Sequence, residues 1–364
     1  MAAHVYIHIP FCSYICSYCD FVKMVKIEKY YQPYLNELKN EIKSRYQNEK
    51  VSTLYIGGGT PSILSSREII ELGEVIKTFD LVDDYEFTFE ANPDSLTVDK
   101  LHALREIGVN RLSIGVQTFN EKTLKAFNRL HKNEEVASII KLAKSMGFES
   151  INVDLIYGYH SQSEQELKFD LEQFAQLDIE HISIYSLQIE DNSVFGKMGY
   201  HKVSNDLEAD YYIQIKEYLE NHQFKHYEIS NFSKPGYHSK HNNCYWEHRE
   251  YYGFGLGAHS FIDCQRITNT SSMENYINNE YVESVDSLNE KALIEEFMFL
   301  GLRKLEGVKR TDFESKFNKP IEFYYNDVII RLEKKGLLET TSNIKLTEKG
   351  LLLANDVFME FLID

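Results

Sequence analysis

The first 190 residues alternate between short strand-like runs and longer helix-like runs, a rhythm that few folds accommodate. VYIHI (5–9), VSTLYIGG (51–58), YEFTFEAN (85–92), NRLSIGVQT (110–118), SINVDLIYG (150–158) and HISIYSLQIE (181–190) read as strands. Helical patterns run over about 27–46, 97–107, 120–130 and 133–146. Ser65-x-x-Glu68 and Ser163-x-x-Glu166 are capping boxes that open two more helices. Six strand–helix repeats with near-continuous apolar strands predict an α/β fold, a parallel sheet covered by helices. A doubly wound sheet and a barrel both satisfy the pattern. Either way, sites form at the C-terminal edge of the strands. Polar and Gly-rich punctuation falls there: Gly57-Gly58-Gly59, Glu90, Gln117, Asp154 and Glu190.

The pattern changes after about residue 200. An aromatic- and His-rich stretch covers 222–261, and helices follow beyond 289. The end, KKGLLETTSNIKLTEKGLLL (334–353), reads as a helix end, a turn, a strand and a helix, like a small winged-helix unit. Three parts are expected: a core over 1–200, an extension over 201–288 and a helical C-terminal domain over 289–364. A chain of 364 residues suits a large α/β domain with an appendage.

The net charge of -17 argues against non-specific binding to nucleic acid or anionic membrane. Five cysteines, an odd number, do not make a disulfide framework; reduced cytosolic thiols and a metal site fit better. No apolar run approaches the roughly 20 residues of a spanning helix. The first 19 residues carry no Lys, Arg, Asp or Glu, yet they lack a basic n-region and a cleavage site. They read as a buried strand entering a metal loop.

That loop is CSYICSYCDF (12–21), with Cys12, Cys16 and Cys19 spaced C-x3-C-x2-C and Phe21 after them. A structural zinc site needs four ligands, usually on two knuckles, and only one knuckle is present. A redox pair, Cys16-x-x-Cys19, gives Cys12 no role. Three thiolates on a four-iron cluster leave one iron open, as a reactive metal requires. GGGTPS (57–62) alone reads as a tight turn; it is neither a Walker A loop nor a dinucleotide fingerprint.

YIHIPFCSYICSYCDF (6–21) resembles the opening of the radical S-adenosylmethionine (radical SAM) superfamily. The similarity is strongest to its branch of oxygen-independent coproporphyrinogen III oxidases and HemW-type heme chaperones. The resemblance implies a partial (β/α)6 TIM-like barrel followed by a mainly helical C-terminal domain. It implies a 4Fe–4S cluster on Cys12, Cys16 and Cys19, with S-adenosylmethionine on the open iron. In the superfamily an electron from that cluster cleaves the sulfonium to methionine and a 5′-deoxyadenosyl radical. GGGTPS then matches the motif that meets the cosubstrate's amino group. The implied cosubstrate contacts are Tyr6, Tyr18 (through its backbone), Gly58, Gly59, Thr60, Glu90, Gln117, Arg129 and Asp154. Two stretches depart from the family pattern: Asn128-Arg129 stands for Gly-Arg, and GYHSQ (158–162) for a GLPGQ-like run.

The oxidases carry CxxxCxxCxC, and Phe21 takes the place of the last cysteine. They also have a longer segment before the cluster strand, where eleven residues precede Cys12 here. HNNCYW (241–246) resembles the HNxxYW motif of HemW-type proteins. Imidazole is an ordinary axial heme ligand, so His241 is a candidate, with Tyr245 and Trp246 on the macrocycle. The other reading of this motif is a hydrogen-bonded core corner, with His226, His238, His248 and His259 as nearby alternatives. FMFLGLRKLEGV (297–308) also fits the HemW pattern. The expected function is a cytoplasmic heme chaperone serving apo-hemoproteins such as respiratory enzymes, docking on a membrane client and handing heme over from a dimer or a complex. The alternative is a coproporphyrinogen III dehydrogenase that converts propionates to vinyls.

Overall fold

The computed structural model describes residues 3–363. Six parallel strands follow one another across the sheet in chain order: β1 (Ala3–Ile9), β2 (Lys50–Gly58), β3 (Asp80–Ala91), β4 (Arg111–Gln117), β5 (Ser150–Tyr157) and β6 (His181–Ser186). A doubly wound sheet reverses its strand order midway, and this one does not. It is an incomplete (β/α)6 barrel. Antiparallel β8 (Asn231–Ser233) and β7 (Lys225–Glu228) extend it beyond β6. Parallel β9 (Tyr252–Phe254) extends it beyond β1.

The connecting helices are α1 (Glu28–Arg45), α2 (Ser66–Ile76), α3 (Val98–Glu106), α4 (Glu121–Ala126), α5 (Asn133–Ser145) and α6 (Glu164–Ala175). Both predicted capping boxes form, at Ser65/Glu68 and Ser163/Glu166. The fourth helix stops at Ala126 instead of about 130, because Asn128 turns left-handed at φ 57°. The sixth strand stops at Ser186, so Glu190 lies in the loop beyond it.

The strands are not apolar throughout. Register places Tyr6, Tyr55, Thr88 and Arg111 side by side on one face, and Glu90, Ser113, Asn152 and His181 on the same face further along. The opposite face carries Ile7, Ile56, Phe89, Leu112, Val153 and Ile182, all buried in the main core. Helices cover that outer face, while the inner face holds polar groups around a cavity. Side chains alternate across a strand, so one strand serves both environments.

Beyond the barrel, α7 (Val194–Lys197) and α8 (Asn205–Asn221) precede β7, and α9 (Lys240–Trp246) precedes β9. An antiparallel sheet follows: β10 (His259–Ile262), β11 (Gln265–Asn269) and β12 (Val282–Ser287). Buried Glu41 on α1 ties this region to the barrel, accepting from Gly255 N (2.8 Å), Tyr276 OH (2.6 Å), Asn269 Nδ2 (2.6 Å) and Arg45 (2.6 Å). The C-terminal part has its own core, built by α10 (Glu290–Gly301), α11 (Arg310–Phe317) and α12 (Ile321–Lys334). A short hairpin, Leu338–Glu339 with Lys345–Leu346, and two short helices complete it.

Candidate functional site

The cysteine segment leaves β1 through Pro10. Phe11–Cys12 pairs in parallel with Met24–Val25, closing a loop that presents all three cysteines. The loop is docked by its backbone: Ser17 N donates to Phe127 O (3.0 Å) and Phe195 N to Ser17 O (2.9 Å). Asn128 Nδ2 donates to Ile15 O (2.8 Å). Cys12, Cys16 and Cys19 line one cavity of about 470 Å³ at the C-terminal mouth of the barrel. Burial pushes the Cys12 thiol up to about 11 and raises that of Cys19.

Among the described residues, no three His, Cys, Asp or Glu side chains converge to hold a single metal ion. Thiolates that hold separate irons of one cluster need not converge. Three free thiols on one wall of an open cavity fit that donor chemistry.

The glycine turn packs against this loop. Gly59 N donates to Ile9 O (2.9 Å), Thr60 N to Phe11 O (2.8 Å), and Thr60 Oγ1 to Cys12 Sγ (3.6 Å). Gly58 sits at φ 117°, a conformation that favours glycine, and its N–H donates to Glu90 Oε2 (3.1 Å). Tyr55 OH donates to the other Glu90 oxygen (2.8 Å). Burial pushes the Glu90 carboxyl up to about 7 and that of Asp154 up to about 6.

Both values lie above those of the unfolded chain, so the folded protein keeps protons that the unfolded chain releases. Their contribution is full below about pH 4 and is lost as the pH rises through about 6–7. The buried histidines run the other way: His8 and His241, pulled down to about 4 and about 3, gain stability as the pH rises. The Glu90 part is therefore read as a difference: the melting temperature of the wild type minus that of Glu90→Gln is expected to fall between about pH 5 and about pH 8. A difference that does not change with pH would remove Glu90 as a contributor.

Gln117 reaches the cavity by a distortion of β4. The register slips between Gly115 and Gln117, and Gln117 adopts φ 70°. A bulge of this kind re-aims a side chain. Buried Asp170 on α6 holds the turn that follows, accepting from Thr118 Oγ1 (2.7 Å) and Phe119 N (2.6 Å). Arg129 is buried behind it, donating to Gly115 O and, at 3.7 Å, to Cys16 Sγ. The two departures from the family pattern have a backbone explanation. Asn128 at φ 57° and Ser161 at φ 60° take left-handed positions that glycine fills more easily, and Asn does so at low cost.

The cavity wall thus gathers Cys12, Cys16, Cys19, Tyr18, Gly58, Gly59, Thr60, Glu90, Gln117, Arg129 and Asp154. Tyr6 is not on it. Its ring lies behind Tyr55, at 6.0 Å between centroids, and its hydroxyl meets His8 Nδ1 (3.0 Å). Sequence reasoning missed Tyr55, Arg111, Ser113, Asn152, Ser183 and Tyr185, which complete the wall. Every-second-residue polarity in TLYIG, RLSIG, NVDLI and ISIYS was the signal for them.

The HNNCYW segment forms α9. Glu86 caps its N-terminus, accepting from His241 N (2.9 Å) and Lys240 N (3.0 Å). His241 is 1% exposed, and burial pulls its pKa down to about 3. One ring nitrogen meets Thr53 Oγ1 (2.8 Å) and the other Tyr245 OH (2.8 Å). Trp246 packs under the Arg303 guanidinium at 4.3 Å. The hydrogen-bonded corner is therefore the arrangement formed. Both ring nitrogens of His241 are thus engaged within this corner.

Residues 6–174 match the radical SAM superfamily, and residues 288–353 match the HemN C-terminal domain. The chain superposes on coproporphyrinogen III oxidase (HemN) from Escherichia coli, a radical SAM enzyme, with a TM-score of 0.87. That match covers 99% of this chain and 90% of the other, at 24% identity. Barrel, cysteine loop and C-terminal domain define a protein of the radical SAM class. Over 368 residues it is 41% identical to the heme chaperone HemW of Lactococcus lactis subsp. lactis (strain IL1403), covering 99% of this chain and 97% of that one. It is 39% identical to the heme chaperone HemW of Bacillus subtilis (strain 168), covering 98% of each. The chain belongs to the HemW family. No helix among the described residues is long and apolar enough to cross a membrane.

Proposed function

We propose that this chain binds heme and delivers it to apo-hemoproteins, respiratory enzymes among them, on a core that holds a 4Fe–4S cluster and S-adenosylmethionine. The observation that carries the reading is the near-full-length similarity to proteins named heme chaperones. Phe21 supports it: 66% exposed at the cavity mouth, it stands where the oxidase pattern has a further cysteine.

Cys12, Cys16 and Cys19 would hold the cluster. The cluster, when bound, supplies the electron for reductive cleavage of S-adenosylmethionine. Glu90 and Asp154 offer carboxylate acceptors for a ribose diol, and Gln117 and Arg129 offer donors beside the cysteine loop.

The test is a heme titration of the anaerobically reconstituted protein, followed by mixing with a heme-free respiratory enzyme. A Soret band that forms on the protein and then moves to the acceptor is the expected result. Coproporphyrinogen III, dithionite and S-adenosylmethionine provide the opposing test. A vinyl-bearing product would replace the chaperone reading with the dehydrogenase.

A further inference from the structure

Arg111 opens β4 on the inner wall of the cavity and is 3% exposed. A guanidinium stays charged at any ordinary pH and carries N–H donors in a planar fork. Among the described residues, Arg111 makes one hydrogen bond, Nη1 to Thr88 Oγ1 at a long 3.4 Å, and no ion pair within 4.0 Å. Its Nε is enclosed and unpaired. Nη2 makes no hydrogen bond and is not among the enclosed atoms, so it reaches the open space of the cavity that Arg111 lines. The two acidic neighbours are engaged elsewhere. Glu90 accepts from Tyr55 OH and Gly58 N, and Asp154 accepts from Asn152 Nδ2 (2.8 Å). Arg129, also buried, directs its donors to Gly115 O and Cys16 Sγ. Buried charges are normally paired, so a guanidinium on a cavity wall without an anion asks for one.

The surroundings define that anion. Asn242, from the HNNCYW segment on α9, lines the same cavity, and its side-chain amide makes no hydrogen bond; only its backbone N–H is used, on Ser239 Oγ. After burial and His4, the Arg111 charge also pulls the His241 imidazole down, which places the start of α9 beside β4. A planar carboxylate takes two parallel N–H bonds from a guanidinium and a further one from an amide. It brings one negative charge for one guanidinium. A dianion such as phosphate would also meet Glu90 and Asp154 on the same wall. The position is distinct from the one expected for the cosubstrate's own carboxylate, beside the cysteine loop. Arg111 is the first residue of β4 and Gln117 the last. Along a regular strand that separation is roughly 20 Å.

We infer that Arg111 and Asn242 form a carboxylate subsite inside the barrel, separate from the cosubstrate's carboxylate position. A ligand carboxylate there gives Arg111 the counter-charge that the chain itself does not. The HNNCYW segment then serves the cavity through Asn242, while His241 fixes the helix that carries it. Two sources share this chemistry. One is a porphyrin propionate, which rests on the heme-carrier reading; the other is a free small carboxylate, which does not.

The test follows the melting temperature of the full chain, without cluster or cosubstrate, as sodium propionate is added against sodium chloride at equal ionic strength. Propionate is expected to raise it and chloride to leave it unchanged. Arg111→Lys and Asn242→Ala should each raise the half-saturating propionate concentration roughly tenfold or more. Arg111→Lys keeps the charge and loses the fork, and Asn242 is only partly buried, so its truncation spares the core. A second arm compares hemin with hemin dimethyl ester by their Soret bands. A wild-type preference for hemin that Asn242→Ala loses assigns the subsite to a propionate. A preference absent from the wild type, or kept by Asn242→Ala, assigns it to a free carboxylate. Propionate that stabilises the wild type no more than chloride overturns the subsite, and so does an undiminished response in either variant. If Arg111→Lys does not fold, Asn242→Ala decides alone. A wild type that gives no Soret band with hemin overturns the heme-carrier reading and leaves the propionate arm to decide the subsite.

Discussion

Replacing any one of Cys12, Cys16 or Cys19 by alanine is expected to leave the anaerobically reconstituted protein without its brown colour. S-adenosylmethionine binding should be lost with it. The three thiols share one cavity wall, and the loop that carries them is pinned at both ends by the Phe11–Cys12/Met24–Val25 pairing. Two thiolates cannot hold three irons, so removing one thiol removes a corner of the cluster and the loss is near total. Cys244→Ala and Cys264→Ala are the controls. Cys244 is buried and Cys264 exposed, both outside the cavity lining, and both variants should stay brown. Iron and sulfide analysis with visible absorbance reads the outcome. A Cys12→Ala protein that keeps the full iron content would end the cluster assignment.

The second large effect is expected at Gly59. A Cβ there would lie 2.8 Å from Phe11 O, 2.9 Å from Pro10 C and 2.9 Å from Cys12 Sγ. Two of those atoms are backbone, so relief means moving the cysteine strand itself. Overpacking of this kind costs about 1–3 kcal/mol. The displaced segment carries a proposed ligand, so Gly59→Ala should also lower S-adenosylmethionine affinity at least tenfold, about 1.4 kcal/mol. Gly199→Ala separates the two causes. Gly199 has φ 64° with nothing within 4 Å of the added Cβ, so it should lose some stability and keep the cluster. Wild-type iron content and melting temperature in Gly59→Ala would refute the close-packing argument.

Much of the barrel was legible because its signals are local. Capping boxes at Ser65 and Ser163 lie within one helical turn, and both form. Strand positions followed from β-branched and aromatic runs, and all six strands formed. The errors arose where a distant contact decided the matter. Near-continuous apolar strands are the expectation, but every second residue on the inner face is polar and turns toward the cavity. The 181–190 strand was read four residues too long, since apolar residues also suit the cavity-lining loop after Ser186.

The site divides along the same line. Sequence by itself determined the three-cysteine loop, the glycine turn and the carboxylates at the strand ends, because each depends on residue type at fixed spacing along one segment. It could not choose between a doubly wound sheet and a barrel, because strand order is a property of the whole chain. It could not say that Tyr6 lies behind Tyr55 or that His241 is closed between Thr53 and Tyr245. Nor could it show that Arg111 is left without an ion-pair partner on the cavity wall. A side chain's availability depends on what burial removes from water and which partners arrive from other strands and helices. Only the tertiary structure brings those partners together.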